Sequence, residues 1–283
     1  MKQFDPKDLS IKDIYHLIIS SVAPRPIAFV GSIDKNNNHN LAPFSFFNAF
    51  GANPPIVGFS PTLSGRTGLP KDTLLNIQET KEFTISIVTK DIIEQVSLSS
   101  CEYGKNIDEF DKSGLRKYNS LKIKPAGVAE SPIVIECLLY KIIELGGKAA
   151  SGNLILGEIC MFHINDNLLT NKNKLKTLDI NHIGRTGGNY YVDTKNSLFE
   201  LIKPKGLGVG FDNLPIEILN SNLTGNQLAK LASSVKIPRL KEIESYNQIN
   251  DTDTLISKIS NLIDENEIDQ AWQVILNWKN NNG

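Results

Sequence analysis

The sequence predicts a mainly β fold of antiparallel strands, followed by a small helical extension. Two long strand-like runs, residues 133–145 and 154–165, flank a glycine-rich connection of the kind found in β-hairpins. Two earlier apolar runs, residues 26–33 and 40–48, flank a polar turn rich in asparagine. Beyond residue 200, apolar residues recur at the spacing of an amphipathic helix. These three patterns predict a β core of about six strands and a helical appendage.

Composition and charge exclude several classes of protein. The 283 residues are 40% hydrophobic and carry a formal net charge of -1, which does not suit a general binder of nucleic acid or acidic membranes. No apolar run reaches the roughly 18 residues needed to span a bilayer, and the N-terminal residues lack the apolar core of a signal peptide. We therefore expect a soluble, cytoplasmic protein whose partners are small molecules or other proteins. We divide it into domains 1–200 and 201–283.

The first elements follow from capping residues and prolines. Ser10 precedes a run of apolar residues at helical spacing, so we expect it to cap a short helix that ends before Pro24. The strand 26–33 then passes through the turn 34–38 into an antiparallel strand that begins at Asn40. The first two strands are thus predicted to form a hairpin.

The stretch from Asn40 to Ser60 is the strongest candidate for a ligand site. Its first half is a predicted strand that small or polar side chains interrupt, where a purely structural strand would carry valine or isoleucine. Pro43 has no N–H to donate, so we expect this strand at a sheet edge, at a bulge or where a ligand replaces a neighbouring strand. Two prolines end it before the next strand, residues 56–59. The interrupting residues are Asn40, Ala42, Ser45 and Asn48.

The loop after Ser60 has the composition of a phosphate receptor. It contains hydroxyl side chains, glycines and the two cations Arg66 and Lys71, and it leads into a short helix predicted over residues 73–79. Hydroxyls, cations and the amides of a helix N-terminus together bind phosphate well. The alternative interpretation is a solvated loop in which Asp72 caps the helix. The loop is not a P-loop, because the G-x-x-x-x-G-K-[ST] pattern is absent.

A second loop, residues 181–191, combines glycines with His182, Arg185 and two tyrosines. Paired glycines allow the backbone to approach a ligand closely, and Arg185 supplies a partner for an anion. An equally good interpretation is a glycine turn before a last strand, and a lone histidine is more often structural than catalytic. The four histidines and three cysteines lack the spacing of metal ligands, so we expect no metal site.

The segments between these loops carry weaker signals. Residues 82–89 alternate as a half-buried strand, and residues 91–99 favour a helix. The neighbouring carboxylates Asp108 and Glu109 could serve general acid–base chemistry, although helix capping and solvated charge are commoner roles. In the C-terminal part, apolar stripes such as the one around Trp272 need a surface to cover them, so we expect those helices to pack on one another or on the β domain.

Eight segments in a fixed order carry a resemblance to a known family. They are residues 25–30, 40–48, 53–60, 71–77, 108–110, 129–132, 157–159 and 184–190. In order and spacing they resemble the flavin reductase-like, FMN-binding split-barrel proteins, a family that includes flavoredoxin. The resemblance runs from about Val22 to Tyr190, which is most of the first domain.

The resemblance implies an antiparallel split β-barrel with short helices, acting as a homodimer that holds FMN in a groove near the subunit interface. It implies that residues 40–48 line the isoalloxazine ring and the ribityl chain, whereas Phe59, Ser60 and residues 64–73 reach the phosphate. The cofactor-binding residues that it implies are Arg25, Asn40, Leu41, Ala42, Pro43, Ser45, Phe46, Asn48, Phe59, Ser60, Ser64, Arg66, Lys71, Asp72, Thr73, Asn76 and Gly187.

The reaction that the resemblance implies is hydride transfer from NAD(P)H, as co-substrate, to the flavin, followed by electron transfer to a small-molecule or protein acceptor. Because the sequence contains no dinucleotide-binding unit, the nicotinamide would stack on the flavin in the open groove. His182 and Arg185 are the candidates for catalytic contacts with the nicotinamide or the acceptor. Two alternatives stay open: an FMN-bearing electron carrier, and a non-catalytic barrel that binds flavin or haem.

Overall fold

The computed structural model describes residues 1–104, 107–204, 206–241 and 251–282. The chain divides into two compact units, Met1–Leu198 and Phe199–Gly283. Within the described ranges, no helix has both the length and the apolar character required to cross a membrane.

The first unit is built on one seven-stranded antiparallel sheet. The strands of this unit are β1 (Ala28–Ile33), β2 (His39–Phe44), β3 (Phe47–Ala52), β4 (Pro55–Phe59), β5 (Glu82–Ile87), β6 (Lys117–Tyr118), β7 (Gly127–Val128), β8 (Ile133–Glu144), β9 (Asn153–Ile164), β10 (Ile183–Arg185) and β11 (Tyr191–Asp193). The order in the large sheet is β2-β1-β5-β8-β9-β4-β3, while β6 pairs with β7 and β10 pairs with β11. The predicted β1–β2 and β8–β9 hairpins are both confirmed.

The large sheet closes on itself because of one short connection. β2 and β3 lie at opposite ends of the strand order, yet only Ser45 and Phe46 separate them in the chain. Three residue steps reach at most about 11 Å, so the sheet must curl until its first and last strands meet. The result is a barrel split between β2 and β3, which confirms the predicted fold class. The prediction of one continuous strand over residues 40–48 is wrong, and the sheet has seven strands rather than six.

β1 separates two apolar layers, because both of its faces are buried. Val30 belongs to the interior cluster of the barrel, together with Phe59 and Phe83. Phe29, the residue before Val30 in the strand, belongs to a second cluster that includes Phe110. Successive side chains of a strand point to opposite faces, so a covering layer of short helices must lie outside β1.

The helices of the first unit are α1 (Ile11–Ser21), α2 (Asp72–Thr80), α3 (Ile93–Leu98) and α4 (Glu109–Ser113). Ser10 caps α1 as predicted, since its hydroxyl accepts the N–H of Asp13 at 3.2 Å. Asp108 likewise caps α4 by accepting the N–H of Phe110 at 2.9 Å. The interpretation of Asp72 as the cap of α2 is wrong: Asp72 is the first helical residue, and the N-cap is Lys71, whose side chain makes no capping bond.

The second unit has an apolar core of its own. Its helices are α5 (Ile216–Leu219), α6 (Gly225–Ala232), α7 (Thr252–Asp264) and α8 (Ile268–Asn282). The predicted apolar stripes of α7 and α8 pack on each other, with Ile259 and Trp272 fully buried. The indole N–H of Trp272 donates to the carbonyl oxygen of Leu231 at 3.3 Å and to the hydroxyl of Ser234 at 3.1 Å, so its polar group is satisfied.

One buried carboxylate, Glu136 of β8, organises the side of the barrel next to β6. It accepts the N–H groups of Leu121 and Lys122, each at 2.7 Å, and bonds to Nε2 of His163 at 2.5 Å. Because a carboxylate only accepts, Nε2 carries the proton, and Nδ1 is left to accept the hydroxyl of Tyr118 at 3.2 Å. Burial acts to raise the pKa of Glu136, but the bonds from Leu121, His163 and Lys122 outweigh it and lower that pKa.

Replacing Glu136 with Gln should destabilise the protein by about 1.5–3 kcal/mol at pH 7, because a buried, charge-assisted network loses its charge. The pKa of Glu136 is lower in the folded protein than in the unfolded chain. The ionised carboxylate therefore stabilises the folded state fully above the unfolded pKa, and this stabilisation is lost as the pH falls through the folded pKa. The difference between wild type and variant should therefore shrink below about pH 4. Urea unfolding at pH 7 and pH 3.5 measures both effects.

Glu144→Gln is the matched control, because Glu144 is an exposed carboxylate of the same strand. It should change stability by no more than about 0.5 kcal/mol. Equal losses in the two variants would contradict a special role for the buried carboxylate.

Candidate functional site

Two cavities adjoin each other along β2, and Pro43 and Ser100 line both of them. The first cavity has a volume of about 270 Å³ and is lined by β2, by residues 64–73 and by residues 99–103. The second has a volume of about 290 Å³ and is lined by α1, α3, the residues just before β1 and the β10–β11 hairpin. Small-molecule sites begin at roughly 300 Å³, so the two cavities together can hold a ligand larger than either one.

The sheet edge beside these cavities is β2. Among the described strands, β1 is its only neighbour in the sheet order, so β2 lies at an edge, which is one of the three positions predicted from Pro43. Leu41 donates its N–H to the carboxylate of Glu109 at 2.9 Å. Two residues farther along, Pro43 has no N–H at all, so the edge offers few donors to another strand.

The N-terminus of α2 lies at one end of the first cavity. Lys71, Asp72 and Thr73 line it, and the cap residue contributes no side-chain bond to the first-turn N–H groups. Such N–H groups and the helix dipole attract anions. The amide of Asn40 donates to the hydroxyl of Thr73 at 3.0 Å, which ties β2 to this helix end. Ser64 also lines the cavity and supplies a hydroxyl.

Glu102 is a site residue that the sequence analysis missed. Its carboxylate lies 3.4 Å from Nη2 of Arg66 and 3.5 Å from Nζ of Lys71, the two predicted phosphate-binding cations. All three side chains are largely solvent-exposed, so these ion pairs are weak and easily exchanged. No signal in the sequence links Glu102 to a loop more than 30 residues earlier.

Two more carboxylates, Asp72 and Glu109, line the first cavity. Burial raises the pKa of Glu109; the bond from the Leu41 N–H opposes that rise, and the nearby Asp108 and Asp72 add to it. Glu109 is therefore not the solvated charge that its position beside Asp108 suggested. It holds the backbone of β2 at the cavity wall.

Arg25 lies in the wall of the second cavity and is only 5% exposed. Its Nη1 donates to the carbonyl oxygens of Ile19 and Val22 at the C-terminal end of α1, and its Nη2 donates to that of Thr186 at 3.1 Å. Nε is buried and has no hydrogen-bond partner among the described residues. The guanidinium also lies 5.8 Å from the ring centre of Phe46.

Arg185 lines the same cavity from the β10–β11 hairpin. Its guanidinium stacks 4.5 Å from the ring centre of Tyr191, bonds to the hydroxyl of that residue and donates to the carbonyl oxygen of Gly188 at 2.9 Å. The interpretation of this segment as a glycine turn before a last strand thus agrees with the structure, and the arginine still faces a cavity.

The structure brings about half of the predicted site residues to these cavities. Asn40, Ala42, Pro43, Ser64, Arg66, Lys71, Asp72 and Thr73 line the first, and Arg25, Pro43, Ser45 and Arg185 line the second. The residues that line neither are Leu41, Phe46, Asn48, Phe59, Ser60, Asn76, His182 and Gly187.

Several of the remaining residues have clear structural roles. Leu41 and Phe59 are fully buried core residues, and the amide of Asn76 donates to the hydroxyl of Ser32 at 3.2 Å. Gly187 lies so close to α1 that a Cβ there would be 2.5 Å from the hydroxyl of Ser20. His182 forms an isolated β-bridge with residue 89, and burial lowers its pKa.

Comparison with known proteins places this architecture in a family. The model of the flavin reductase like domain matches residues 20–179. The chain belongs to the flavin reductase-like family. An uncharacterised family relative from Aquifex aeolicus is 32% identical over 190 residues, which cover 67% of this chain and 94% of that protein.

Two solved structures resemble this flavin reductase-like chain over nearly their whole lengths. Nitrilotriacetate monooxygenase component B from Bacillus cereus is 31% identical, with a TM-score of 0.66 over 72% of this chain and 98% of that one. The Pseudomonas fluorescens 2-nitrobenzoate 2-nitroreductase NbaA is 29% identical, with a TM-score of 0.64 over 71% of this chain and 96% of that one. More than a quarter of the present chain thus lies outside each match.

Proposed function

We propose that this protein is an NAD(P)H-dependent oxidoreductase that holds FMN along the outer edge of β2. The observation that carries the proposal is the pair of adjoining cavities, one with cations and hydroxyls at a helix N-terminus, in a chain of the flavin reductase-like family. Bound flavin supplies two-electron chemistry, accepting electrons from a reduced nicotinamide and passing them to a second acceptor.

The residues present fit FMN at both ends. Ser64, Arg66, Lys71 and Thr73 line the end that suits a phosphate, together with the N-terminal amides of α2. The small side chains of β2 and its connection leave room for a flat ring against the backbone of the strand. We propose that the residues implied by the resemblance hold the cofactor, with Leu41, Phe59 and Asn76 acting through the position of the backbone. The β2 residues closest to the ring would be Ala42, Pro43 and Ser45.

The protein's own contribution is orientation, because hydride transfer requires no dedicated base. We propose that Arg185 contacts the nicotinamide or the acceptor from the second cavity, which it lines. We also propose such a contact for His182, a neighbour of the β10 strand. Because burial lowers its pKa, His182 is neutral at pH 7 and can accept a hydrogen bond from a neutral carboxamide.

The similar structures indicate which kinds of electron acceptor to consider. The similar structures include one component of a monooxygenase and a 2-nitrobenzoate nitroreductase. We propose that the electrons of this protein pass either to a partner protein or to a small molecule. An FMN-bearing electron carrier, which would take electrons from a protein, is the second candidate.

Oxidation of NADH or NADPH, followed at 340 nm with added FMN, tests the proposal. A reductase oxidises one of the two nucleotides in many turnovers, and an electron carrier does not. The visible spectrum of the purified protein tests the other alternative, because haem and flavin absorb differently. A haem spectrum would exclude the assignment to FMN.

We predict that the protein binds FMN more tightly than riboflavin, and that Lys71→Ala weakens FMN by about one to two decades. A charge-assisted hydrogen bond to phosphate contributes roughly 1.5–3 kcal/mol to binding. Riboflavin has no phosphate, so the substitution should leave its affinity unchanged. Titration of flavin fluorescence measures both ligands. Equal affinity for the two flavins would remove the phosphate-binding role of Lys71 and Arg66.

Glu102→Gln is the matched opposite variant, because its carboxylate competes with phosphate for the same two cations. Removing an exposed ion pair of this kind should tighten FMN by up to about fivefold and leave riboflavin unchanged. A variant that bound FMN more weakly would show that Glu102 supports the site instead of competing for it.

We further propose that the protein is a homodimer. In strands β8 and β9 the side chains of Leu138, Tyr140 and Phe162 are each about half exposed, and exposed apolar side chains that lie together mark interfaces. Light scattering at micromolar concentration should give twice the chain mass of 31.3 kDa, and Tyr140→Asp should lower that value. A wild-type monomer that binds FMN tightly would contradict a groove shared between subunits.

A further inference from the structure

We propose that the second cavity binds the carboxylate of a small aromatic acid, with Arg185 in contact with the carboxylate and Arg25 as a second positive charge in the cavity wall. The inference deepens the proposed function, and rests on it, in naming the class of small anion that binds in the cavity adjoining the flavin site. The binding of the acid itself depends only on the cavity described above.

The charge of the cavity is uncompensated. Two guanidinium groups line it, and no aspartate or glutamate does. Neither Arg25 nor Arg185 forms an ion pair with any residue in the part of the chain that the structure describes. Of the two, Arg25 is the buried one, and a buried cation without a counter-ion from the chain or from a ligand is costly.

Arg25 is incompletely compensated within the protein. Its Nη atoms are engaged by three carbonyl oxygens, which compensate the charge only in part, whereas its buried Nε has no partner within the described residues. A buried N–H left unbonded costs about 1–3 kcal/mol. Burial lowers the pKa of Arg25, Tyr15 acts to raise it, and Arg185 lowers it again, which agrees with two cations near one cavity.

The walls of the cavity fit the rest of an aromatic acid. Ile19, Ile27 and Val96 provide apolar surface, and Tyr15 and Tyr191 provide rings. The guanidinium of Arg185 lies over the ring of Tyr191 and bonds to Tyr191 and Gly188, so its donors are oriented before a ligand arrives. A volume of about 290 Å³ limits the occupant to a small molecule. Cations on one side and apolar walls on the other recognise a compact, amphipathic anion.

A phosphate group shares the anionic chemistry of a carboxylate, so the phosphate of FMN is the competing occupant. The first cavity has its own cations, hydroxyls and helix N-terminus for that phosphate. Each cavity therefore has its own arginine for its anion: Arg66 binds the phosphate, and Arg185 binds the carboxylate. Variants of these two residues separate the two occupants.

The test is isothermal titration of the full chain, with FMN present, by benzoate and by its neutral analogue benzamide. Benzoate should bind at least tenfold more tightly, because only the anion compensates the two guanidinium groups. Arg185→Gln should weaken benzoate at least tenfold and leave benzamide unchanged, while Arg185→Lys should retain part of the preference. Arg25 is not the residue to replace, because it holds three backbone carbonyl groups together.

Arg66→Gln is the matched control, and it should weaken FMN without changing the affinity for benzoate. Equal affinities for benzoate and benzamide would overturn the inference while leaving the proposed flavin function in place. So would an Arg185→Gln variant that loses affinity for FMN but not for riboflavin, because the cavity would then hold the phosphate. If the chain bound no flavin at all but still bound benzoate through Arg185, the proposed function would fail and the carboxylate site would stand.

Discussion

The architecture depends on the short link between the two outermost strands of the sheet. β2 and β3 are the first and last strands in the spatial order, and Ser45 and Phe46 alone join them in the chain. A flat sheet of seven strands would place these edges about 28 Å apart, which two residues cannot span. Closure of the barrel, the exposed edge of β2 and the two cavities beside that edge all follow from this one covalent constraint.

The elements that local sequence determines were predictable. Ser10 and its helix, the β1–β2 turn and the long β8–β9 hairpin depend on capping, turn residues and alternation, which lie within a few positions of one another. The break at Ser45 was not predictable in this way, since the small and polar side chains within residues 40–48 do not show where one strand ends and the next begins. The barrel, and not the local sequence, requires the chain to change direction there.

The loops of the site could be predicted from the sequence, but the contacts between residues that are distant in the sequence could not. Arg66 and Lys71 attract attention because cations, hydroxyls and glycines occur together in one loop, and the structure places both at one cavity. Two carboxylates of the site come from distant parts of the chain. Glu102 contacts both cations, and Glu109 accepts a hydrogen bond from Leu41. Arg25 and Arg185 are 160 positions apart in the sequence and share a cavity wall only after the barrel has closed. Composition can identify such residues one at a time, but only topology pairs them.

The bond between Glu109 and the N–H of Leu41, together with Pro43, also affects how copies of this chain meet in a crowded solution. A split barrel exposes the edge of a strand, and an open edge is where misfolded or neighbouring chains add a strand of their own. Here a carboxylate occupies one outward donor, and the ring of a proline eliminates the next. A small molecule that uses side chains and carbonyl groups can still settle on this edge, whereas an incoming β-strand finds no regular row of donors. The same features that keep the groove open to a ligand thus protect the protein against aggregation.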